Sequence, residues 1–292
     1  SKLLSNIEKE LKPSRVFTVF GPIAWRPKAK HLVGFAIPHI VYTELPYMQK
    51  LNFNSKLIQK IRNSIKMFFL RRSADQVVTE TSDVSNRLFN LLNKKTPVHT
   101  VANCLNETYL HKEIIIKKKV SSKIKLITIT SFYAHKNLLI IKRIIPELEK
   151  LNLRVMFYVT IDENVFKKKF SGYERWITNY GPSDVKMCHK YYNDADAVFL
   201  PTLLECFSAS YPEAMYMKRP IITSDYSFSK NVCGDAALYF DPYSPKDIVQ
   251  KINLLRTDSI YQKLVFEGEK KYKKMETSNT RAHKYLTLLN NL

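Results

Sequence analysis

Short apolar runs alternate along the chain with stretches in which apolar residues recur every three or four positions. The short runs are typical of strands buried in a parallel sheet, and the longer stretches are typical of amphipathic helices that cover such a sheet. The alternation of the two therefore predicts an α/β fold with parallel sheets.

The first third of the chain is predicted to contain four strands and three helices. The strands are predicted over residues 15–20, 31–36, 76–79 and 98–101, and the helices over residues 1–12, 55–72 and 82–94. Four strands are few for a self-sufficient doubly wound sheet, and no opening apolar strand with a glycine-rich turn precedes them. We therefore expect the N-terminal domain, assigned to residues 1–112, to be incomplete.

A polar, lysine-rich stretch over residues 113–123 interrupts the alternation and is predicted to be a linker. The pattern resumes in a second domain, assigned to residues 124–257. Its strands are predicted over residues 124–130, 154–160, 195–200, 220–224 and 236–240, with a helix over residues 138–150. Residues 258–292 are predicted to be helical and could cross back to the N-terminal domain.

Two glutamates flank the junction between a buried strand and a helix. The apolar run over residues 197–200 stops at Pro201, and Glu205 and Glu213 follow. Ligands of open α/β sheets bind at the carboxyl ends of strands, where carboxylates suit the hydroxyl groups of a sugar or ribose. The alternative is structural, because a loop glutamate is common and a glutamate in a first helical turn complements the helix dipole.

A lysine follows the first strand of the second domain. Lys136 precedes Asn137, which is predicted to cap the next helix, and a lysine beside a helix N-terminus can clamp a pyrophosphate. The backbone N–H groups of Phe207, Ser208 and Ala209 are predicted to lie at another helix start. A cation and amides for a diphosphate, with carboxylates for sugar hydroxyls, describe a nucleotide-sugar site. For Lys136 alone, a solvated first-turn lysine is the alternative.

The composition adds a strong positive charge and few glycines. The formal net charge is +21, which suits nucleic acid, an anionic lipid surface or an acidic substrate, or reflects only solvated helix faces. No nucleic-acid-binding motif accompanies the charge, so we expect no nucleic-acid partner. The six glycines form no GxGxxG or P-loop pattern, so nucleotide binding would not use those loops.

The predicted helix over residues 55–72 is basic and amphipathic. Its cations are Lys56, Lys60, Arg62, Lys66, Arg71 and Arg72, and they surround Leu57, Ile58, Ile61, Ile65 and Phe68. Such a helix can rest on an anionic membrane. The alternative is a helix that packs its apolar face on the core and has a basic outer side.

The cysteines and the N-terminus bear on the compartment. Four cysteines, at positions 104, 188, 206 and 233, show no CxxC or Cys/His ligand spacing, which argues against a zinc site or a disulfide framework. No apolar run approaches the length of a membrane-spanning helix, and the N-terminus does not read as a signal peptide. We therefore expect a soluble, cytoplasmic protein.

Several short motifs fall in the order and spacing of a known family. They are residues 135–138, Gly181, residues 191–201, the E-x7-E element from Glu205 to Glu213, residues 219–225 and residues 233–242. On these motifs, residues 124–256 resemble the donor domain of retaining glycosyltransferases of the family-4 type (glycosyl transferases group 1) with the GT-B fold. Residues 74–88 resemble the end of the acceptor domain, and residues 98–103 resemble the exit strand into the linker.

The resemblance implies two Rossmann-like domains, the N-terminal one truncated or unusually short. It implies that Lys136 holds the donor diphosphate and that Glu213 bonds the ribose hydroxyls. It also implies that Glu205 lies at the transferred sugar as the catalytic residue, and that the backbone of residues 207–209 contacts the sugar and the distal phosphate.

Three positions depart from the family pattern. Ser131 stands where the family often has an arginine five residues before the lysine, so diphosphate binding would rest more on Lys136. Cys206 and Ser208 replace the usual glycines of the E-x7-E loop. Their side chains would narrow the space near the sugar, and Ser208 could add a hydroxyl contact.

The implied reaction moves a sugar from a nucleotide-diphosphate sugar of the UDP or GDP type to a hydroxyl acceptor with retention. No metal or other cofactor is expected, because Lys136 and helix dipoles would stabilise the leaving diphosphate. The implied setting is bacterial surface polysaccharide synthesis on a lipid-linked or saccharide acceptor, with a peripheral position on the inner face of the plasma membrane. The alternative is a non-catalytic nucleotide-sugar-binding module that has lost its acceptor half.

Overall fold

The computed structural model describes residues 2–292, which form two compact units. The first unit comprises residues up to Asn103 together with Leu204–Phe207 and Glu276–Leu292. The second unit comprises Cys104–Leu203 and Ser208–Met275.

The first unit contains a sheet of four parallel strands. They are β1 (Arg15–Gly21), β2 (Lys30–Phe35), β3 (Gln76–Thr79) and β4 (Val98–Thr100), and they lie side by side in this order. The helices before and between them are α1 (Lys2–Leu11), α2 (Pro38–Val41), α3 (Pro46–Gln49), α4 (Phe53–Ser73) and α5 (Ser82–Leu91).

Side-chain caps explain where two of these helices begin. The side chain of Asn52 accepts a hydrogen bond from the Ser55 N–H at 2.8 Å and so caps α4. The side chain of Thr81 accepts one from the Val84 N–H and so caps α5. Such caps satisfy N–H groups that have no partner within the helix itself.

The second unit contains a sheet of six parallel strands. They are β5 (Ile124–Thr128), β6 (Val155–Val159), β7 (Ile177–Asn179), β8 (Ala197–Leu200), β9 (Ile221–Ser224) and β10 (Ala237–Phe240). The helices are α6 (Ile140–Lys150), α7 (Glu163–Phe170), α8 (Val185–Asp194), α9 (Ser210–Tyr216), α10 (Ser227–Cys233), α11 (Pro245–Leu254) and α12 (Asp258–Tyr272).

The strand order of the second sheet reverses at one place. The order is β10-β9-β8-β5-β6-β7, so the chain moves outward from β5 in one direction and then returns to add β8 on its other side. Helices on both faces bury the central strands, and every residue of β8 is buried. Burial on both faces requires the continuous apolar run seen in the sequence. The prediction of an α/β fold with parallel sheets is confirmed.

The sequence pattern does not predict β7. This strand has only three residues, lies at the edge of the sheet and buries only Ile177 fully, so it leaves no run long enough to recognise. The register is set instead by pairing with β6, in which Phe157 lies opposite Ile177.

The segment over residues 113–123 contains neither helix nor strand, yet side chains of the second unit hold it. The buried Arg219 donates to the carbonyl of Ile115 at 2.8 Å, and the Ile115 N–H donates to Asn193 Oδ1 at 3.0 Å. Lys117 forms an ion pair with the buried Asp196 at 2.9 Å.

A final helix, α13 (Ser278–Asn290), belongs to the first unit. Tyr285, Leu288 and Leu289 pack against a buried cluster on the first sheet, which includes Leu32 and Val78. Among residues 2–292, none of the helices has both the length and the apolar character needed to cross a membrane.

Candidate functional site

The place where strand order reverses in the second unit lies between β5 and β8. Parallel sheets bind ligands outside the carboxyl ends of strands at such a reversal, because the two loops there diverge to opposite faces of the sheet. The loop after β5 covers residues 129–139, and the loop after β8 begins at Pro201. A hydrogen bond joins them, in which the Leu203 N–H donates to the His135 carbonyl at 2.7 Å.

Lys136 lies in the loop after β5, at the end of a 3₁₀ turn, and it is half-buried. Its N–H donates to the Tyr133 carbonyl at 3.0 Å, which closes the turn. Ser131 lies earlier in the same loop, where its side chain is exposed and its carbonyl accepts a bond from the Thr130 hydroxyl. Lys136 and Ser131 therefore both lie in the loop that leaves β5 at the reversal.

The prediction that Asn137 caps the following helix is wrong. Helix α6 begins at Ile140, and its N-cap is Leu139, which makes no side-chain capping bond. Asn137 instead adopts the left-handed conformation, with φ of 55°. Its side-chain Nδ2 donates to the carbonyl of Pro242 at 3.1 Å and so connects the loop to the segment that follows β10. Asparagine is one of the few residues that adopt this backbone conformation readily.

Glu213 lies in α9 and is 7% exposed. The hydroxyl of Tyr192, which projects from α8, donates to Glu213 Oε2 at 2.7 Å. Burial raises the pKa of the Glu213 carboxyl, and the hydroxyls of Tyr192 and Tyr109 oppose this rise by stabilising the ionised form. The carboxylate is therefore held in one orientation by a fully buried partner.

Sequence reasoning missed the roles of Tyr192 and Tyr109. The two rings lie 6.0 Å apart, and both are almost completely buried. Burial, followed by the neighbouring Glu213, raises the pKa of the Tyr192 hydroxyl far above its ordinary value, so it stays protonated and donates. In the sequence, Tyr192 is a tyrosine in the helix that precedes β8, and such a residue resembles an ordinary core residue.

The backbone carbonyls of residues 208–209 accept hydrogen bonds from N–H groups at the start of α9. The Ser208 carbonyl accepts from the Tyr211 N–H, and the Ala209 carbonyl accepts from the Glu213 N–H, each at 3.2 Å. The N-cap of α9 is Ala209, so Ser208 does not cap the helix through its side chain. The Ser208 side chain is buried and Ala209 is exposed.

Glu205 and Phe207 lie in the short segment that clusters with the first unit. Both are half-buried, whereas Cys206 between them is buried. Burial, followed by the charges of Glu80 and Glu205, raises the pKa of the Cys206 thiol, so it stays protonated. The first unit thus places Glu205 close to Glu80, while Glu213 belongs to the second unit.

Glu80 follows β3 and is a second acid that sequence reasoning missed. Its Oε1 accepts a hydrogen bond from Asn103 Nδ2 at 2.7 Å, and Arg281 of α13 lies 3.7 Å away. Burial raises the pKa of Glu80, Arg281 and Asn103 lower it, and Glu205 raises it further. Within residues 2–292, no group of three or more His, Cys, Asp and Glu side chains could hold a metal ion.

The chain resembles known proteins in its second unit by sequence. Residues 123–258 match the family described as Glycosyl transferases group 1. This range contains β5 to β10 and therefore both loops of the strand-order reversal. A search of curated proteins finds no match to the sequence.

Solved structures extend the similarity to the whole described chain. Sucrose-phosphate synthase from Thermosynechococcus elongatus has a TM-score of 0.76 at 13% identity, over 99% of this chain and 76% of that one. A glycosyltransferase from Rickettsia africae has a TM-score of 0.72 at 17% identity, over 99% of this chain and 79% of that one. A TarM variant from S. aureus has a TM-score of 0.64 at 16% identity, over 90% of this chain and 51% of that one. That structure is a complex with fondaparinux, α-GlcNAc-glycerol and UDP.

The present chain thus spans about half the length of TarM and more than three quarters of the length of sucrose-phosphate synthase. At these identities the structural likeness establishes the fold, and the family match establishes the domain type of residues 123–258. Residues 123–258 therefore form a glycosyl transferases group 1 domain, and the two parallel sheets give the described chain the GT-B fold of the glycosyltransferases it resembles.

Proposed function

We propose that this protein is a glycosyltransferase that moves a sugar from a nucleotide-diphosphate sugar to a hydroxyl acceptor. The observation that carries the proposal is the reversal of strand order between β5 and β8, where the Leu203–His135 hydrogen bond joins the two loops. Open α/β sheets bind nucleotides at such a reversal. The group 1 domain contains both loops, which supports the same assignment.

Lys136 is the proposed ligand of the donor diphosphate. It is half-buried in the loop after β5, so its charge acts in a partly dehydrated environment where electrostatic attraction is stronger than in water. The bond from Asn137 to Pro242 holds the adjacent backbone in place. Ser131 and the backbone N–H groups of residues 207–209 are proposed to complete the donor contacts.

Glu213 is proposed to accept hydrogen bonds from the ribose hydroxyls. A carboxylate has about four acceptor positions, so the bond from Tyr192 leaves Glu213 able to accept others. The fully buried Tyr192 keeps the carboxylate from turning away from the ligand. Tyr192 is therefore a positioning residue for the donor site.

Glu205 is proposed to bond the hydroxyls of the transferred sugar. In the reaction, the acceptor oxygen bonds to the anomeric carbon as the bond from that carbon to the leaving phosphate oxygen breaks. The acceptor proton passes to a leaving phosphate oxygen on the same face, so the configuration is retained. Lys136 stabilises the negative charge that grows on the diphosphate, and the proposed reaction requires no metal.

The donor nucleotide is proposed to be of the UDP or GDP type. The TarM structure contains UDP, which favours UDP. The acceptor is proposed to be lipid-linked or a saccharide, in the synthesis of a bacterial surface polysaccharide on the inner face of the plasma membrane, with no nucleic-acid partner.

A thermal-shift series against UDP, GDP, ADP and their sugars tests donor binding in the full chain. A ligand that binds only the folded state raises the melting temperature, so the ranking identifies the donor. Incubation of that donor with a panel of lipid-diphosphate and saccharide acceptors then tests transfer. Binding without transfer or donor hydrolysis would favour the non-catalytic binding module, and no binding of any of these ligands would contradict both functions.

A further inference from the structure

Helix α4 directs a row of apolar side chains into solvent. Phe53, Leu57, Ile61, Ile65 and Phe68 are each between 48% and 78% exposed. Because they are three or four positions apart, they form one stripe along the helix, here named the α4 stripe. At about 1.5 Å per residue the stripe is roughly 22 Å long. A monomeric soluble protein rarely exposes so many large apolar side chains together.

The opposite side of α4 faces the first unit and is largely polar. Ser55, Gln59 and Asn63 are half-buried there, and only Met67 and Leu70 bury apolar side chains. Polar contacts occupy this face, since Asn63 Nδ2 donates to the His39 carbonyl at 2.9 Å and Gln59 Nε2 donates to Asn63 Oδ1 at 2.8 Å.

This arrangement reverses the usual orientation of an amphipathic helix. The interpretation in which the helix packs its apolar face on the core and has a basic outer side is wrong. Apolar contacts to the core come from Met67 and Leu70, near the C-terminal end of α4, whereas the stripe begins at Phe53. Exposure of the stripe costs solvation free energy, so a ligand or partner that covers it would be bound favourably.

The charges of α4 indicate what covers the stripe. The helix carries six cations and no acidic side chain, namely Lys56, Lys60, Arg62, Lys66, Arg71 and Arg72. Successive residues of a helix are rotated by about 100°, so Lys60 and Arg71 lie along one border of the stripe. Arg62 lies beyond the other border, and Arg72 follows the stripe at its C-terminal end. An apolar stripe bordered by cations matches an anionic bilayer, with acyl chains below and phosphate groups at the edges.

A cavity beside α4 fits the same occupant. It has a volume of about 390 Å³ and lies within the first unit. Lys56, Lys60 and Arg71 are among its lining residues, together with the apolar side chains of Met48 and Leu51. A single lipid headgroup would meet cations there, next to the stripe.

We infer that the α4 stripe is a docking surface for an anionic lipid bilayer. The helix lies in the plane of the interface, with Leu57, Ile61 and Ile65 among the acyl chains and the flanking cations at the phosphates. Each Lys or Arg near an anionic surface contributes on the order of 1 kcal/mol. The inference does not depend on the proposed transfer reaction, because it uses no residue of the donor site.

Sedimentation of the full chain with vesicles tests the inference. Wild type is expected to bind vesicles that contain phosphatidylglycerol and to bind pure phosphatidylcholine vesicles weakly. The triple variant Lys56→Gln/Lys60→Gln/Arg62→Gln is expected to lose affinity on the order of 100-fold. The double variant Ile61→Ser/Ile65→Ser is expected to lose at least about tenfold.

Matched controls separate the α4 stripe from overall charge and overall apolar surface. Lys167→Gln/Lys168→Gln/Lys169→Gln removes three charges from α7 in the second unit. Leu151→Ser/Phe266→Ser removes two exposed apolar side chains, which are 52% and 63% exposed. Both controls are expected to keep most of the wild-type affinity. Because all substituted positions in the Ile61/Ile65 and Leu151/Phe266 variants are exposed, the variants are expected to fold normally.

Three results would overturn the inference. The first is that the wild-type protein does not bind anionic vesicles. Another is an equal loss in the α7 control, which would mean that net charge alone attracts the protein. The third is a wild-type dimer in sedimentation equilibrium that Ile61→Ser/Ile65→Ser converts to a monomer, because the stripe would then be covered by a second copy of the chain.

Discussion

At the scale of single residues, Glu213 is a buried acid that is also proposed to bond the ribose hydroxyls of the donor. Burial raises the pKa of its carboxyl above the ordinary value of 4.5, and hydrogen bonding from Tyr192 only partly compensates. The ionised side chain therefore costs the folded state free energy that a neutral side chain would not. A buried acid whose pKa is perturbed is typical of functional sites.

Replacing Glu213 by Gln is expected to raise thermal stability at neutral pH and to weaken donor binding. Because the folded-state pKa lies above the unfolded value, ionisation of Glu213 removes stability as the pH rises from 4.5 through the folded pKa. Glutamine stays neutral, so the gain should be present at neutral pH and vanish in acid. Thermal denaturation as a function of pH measures the first effect, and titration with the donor measures the second.

Tyr192→Phe is the matched control for this prediction. It deletes the hydroxyl that lies 2.7 Å from Glu213 Oε2 and leaves the buried carboxylate without that donor. We expect a loss of about 1–3 kcal/mol in the free energy of unfolding at neutral pH. The two variants should therefore change stability in opposite directions. A Glu213→Gln variant that is destabilised as much as Tyr192→Phe would contradict the argument.

Lys136→Ala is expected to weaken donor binding by roughly 10- to 100-fold, the effect of losing one charge-assisted hydrogen bond to phosphate. Glu213→Ala is expected to weaken binding less, because a ribose hydroxyl carries no charge. Lys150→Ala, at the exposed C-terminal end of α6, is the control and should leave the affinity unchanged. Isothermal titration measures all three, and equal donor affinity in wild type and Lys136→Ala would count against the diphosphate role.

At the scale of elements, loops connect the carboxyl ends of three strands in the second unit. The Leu203–His135 bond joins the loops after β8 and β5, and the Asn137–Pro242 bond joins the loop after β5 to the segment after β10. Neither bond follows from local sequence periodicity, since each connects residues far apart in the chain. The candidate donor site is thus shaped by contacts between loops at the ends of the strands.

Asn137→Ala is expected to lower the free energy of unfolding by about 1–2 kcal/mol, because alanine adopts the left-handed conformation less readily and cannot bond Pro242. Asn137→Gly keeps the backbone freedom and loses only the side-chain bond, so it should cost less. Chemical denaturation of both variants measures the difference. Equal losses would mean that the left-handed conformation contributes nothing.

The predictability of elements depended on their length and burial. The run that forms β8 is buried on both faces, and its sequence pattern predicted it closely. The three-residue edge strand β7 left no such pattern. Helix α4 was predicted as a helix, but its orientation was not, because periodicity shows that a helix has an apolar face and not what that face contacts.

At the scale of the whole molecule, cations greatly outnumber acids. The chain has 47 Lys and Arg residues and 26 Asp and Glu residues. Part of this excess positive charge lies on α4, and Lys136 provides a cation in the loop after β5, which is proposed to bind the donor. The proposed reaction uses the protein's own positive charge for the leaving diphosphate.

Transfer activity is therefore expected to survive an excess of EDTA. The Lys136 ammonium is proposed to supply the counter-charge that a divalent cation supplies in other sugar-transfer sites. Initial rates with and without chelator, using the donor from the thermal-shift series, measure the effect. Complete loss of activity on chelation, with recovery on addition of Mg²⁺ or Mn²⁺, would contradict the metal-independent reaction.

The sequence by itself determined the α/β class, the helix and strand pattern of most elements and the family of residues 123–258. These features depend on local periodicity and on short motifs, both of which can be read from neighbouring residues. Only the tertiary structure decided that Tyr192 holds Glu213, that Asn137 bonds Pro242 and that the α4 stripe faces solvent. Those features depend on contacts between residues distant in sequence, and such contacts exist only once the sheets have formed and the helices have packed on them.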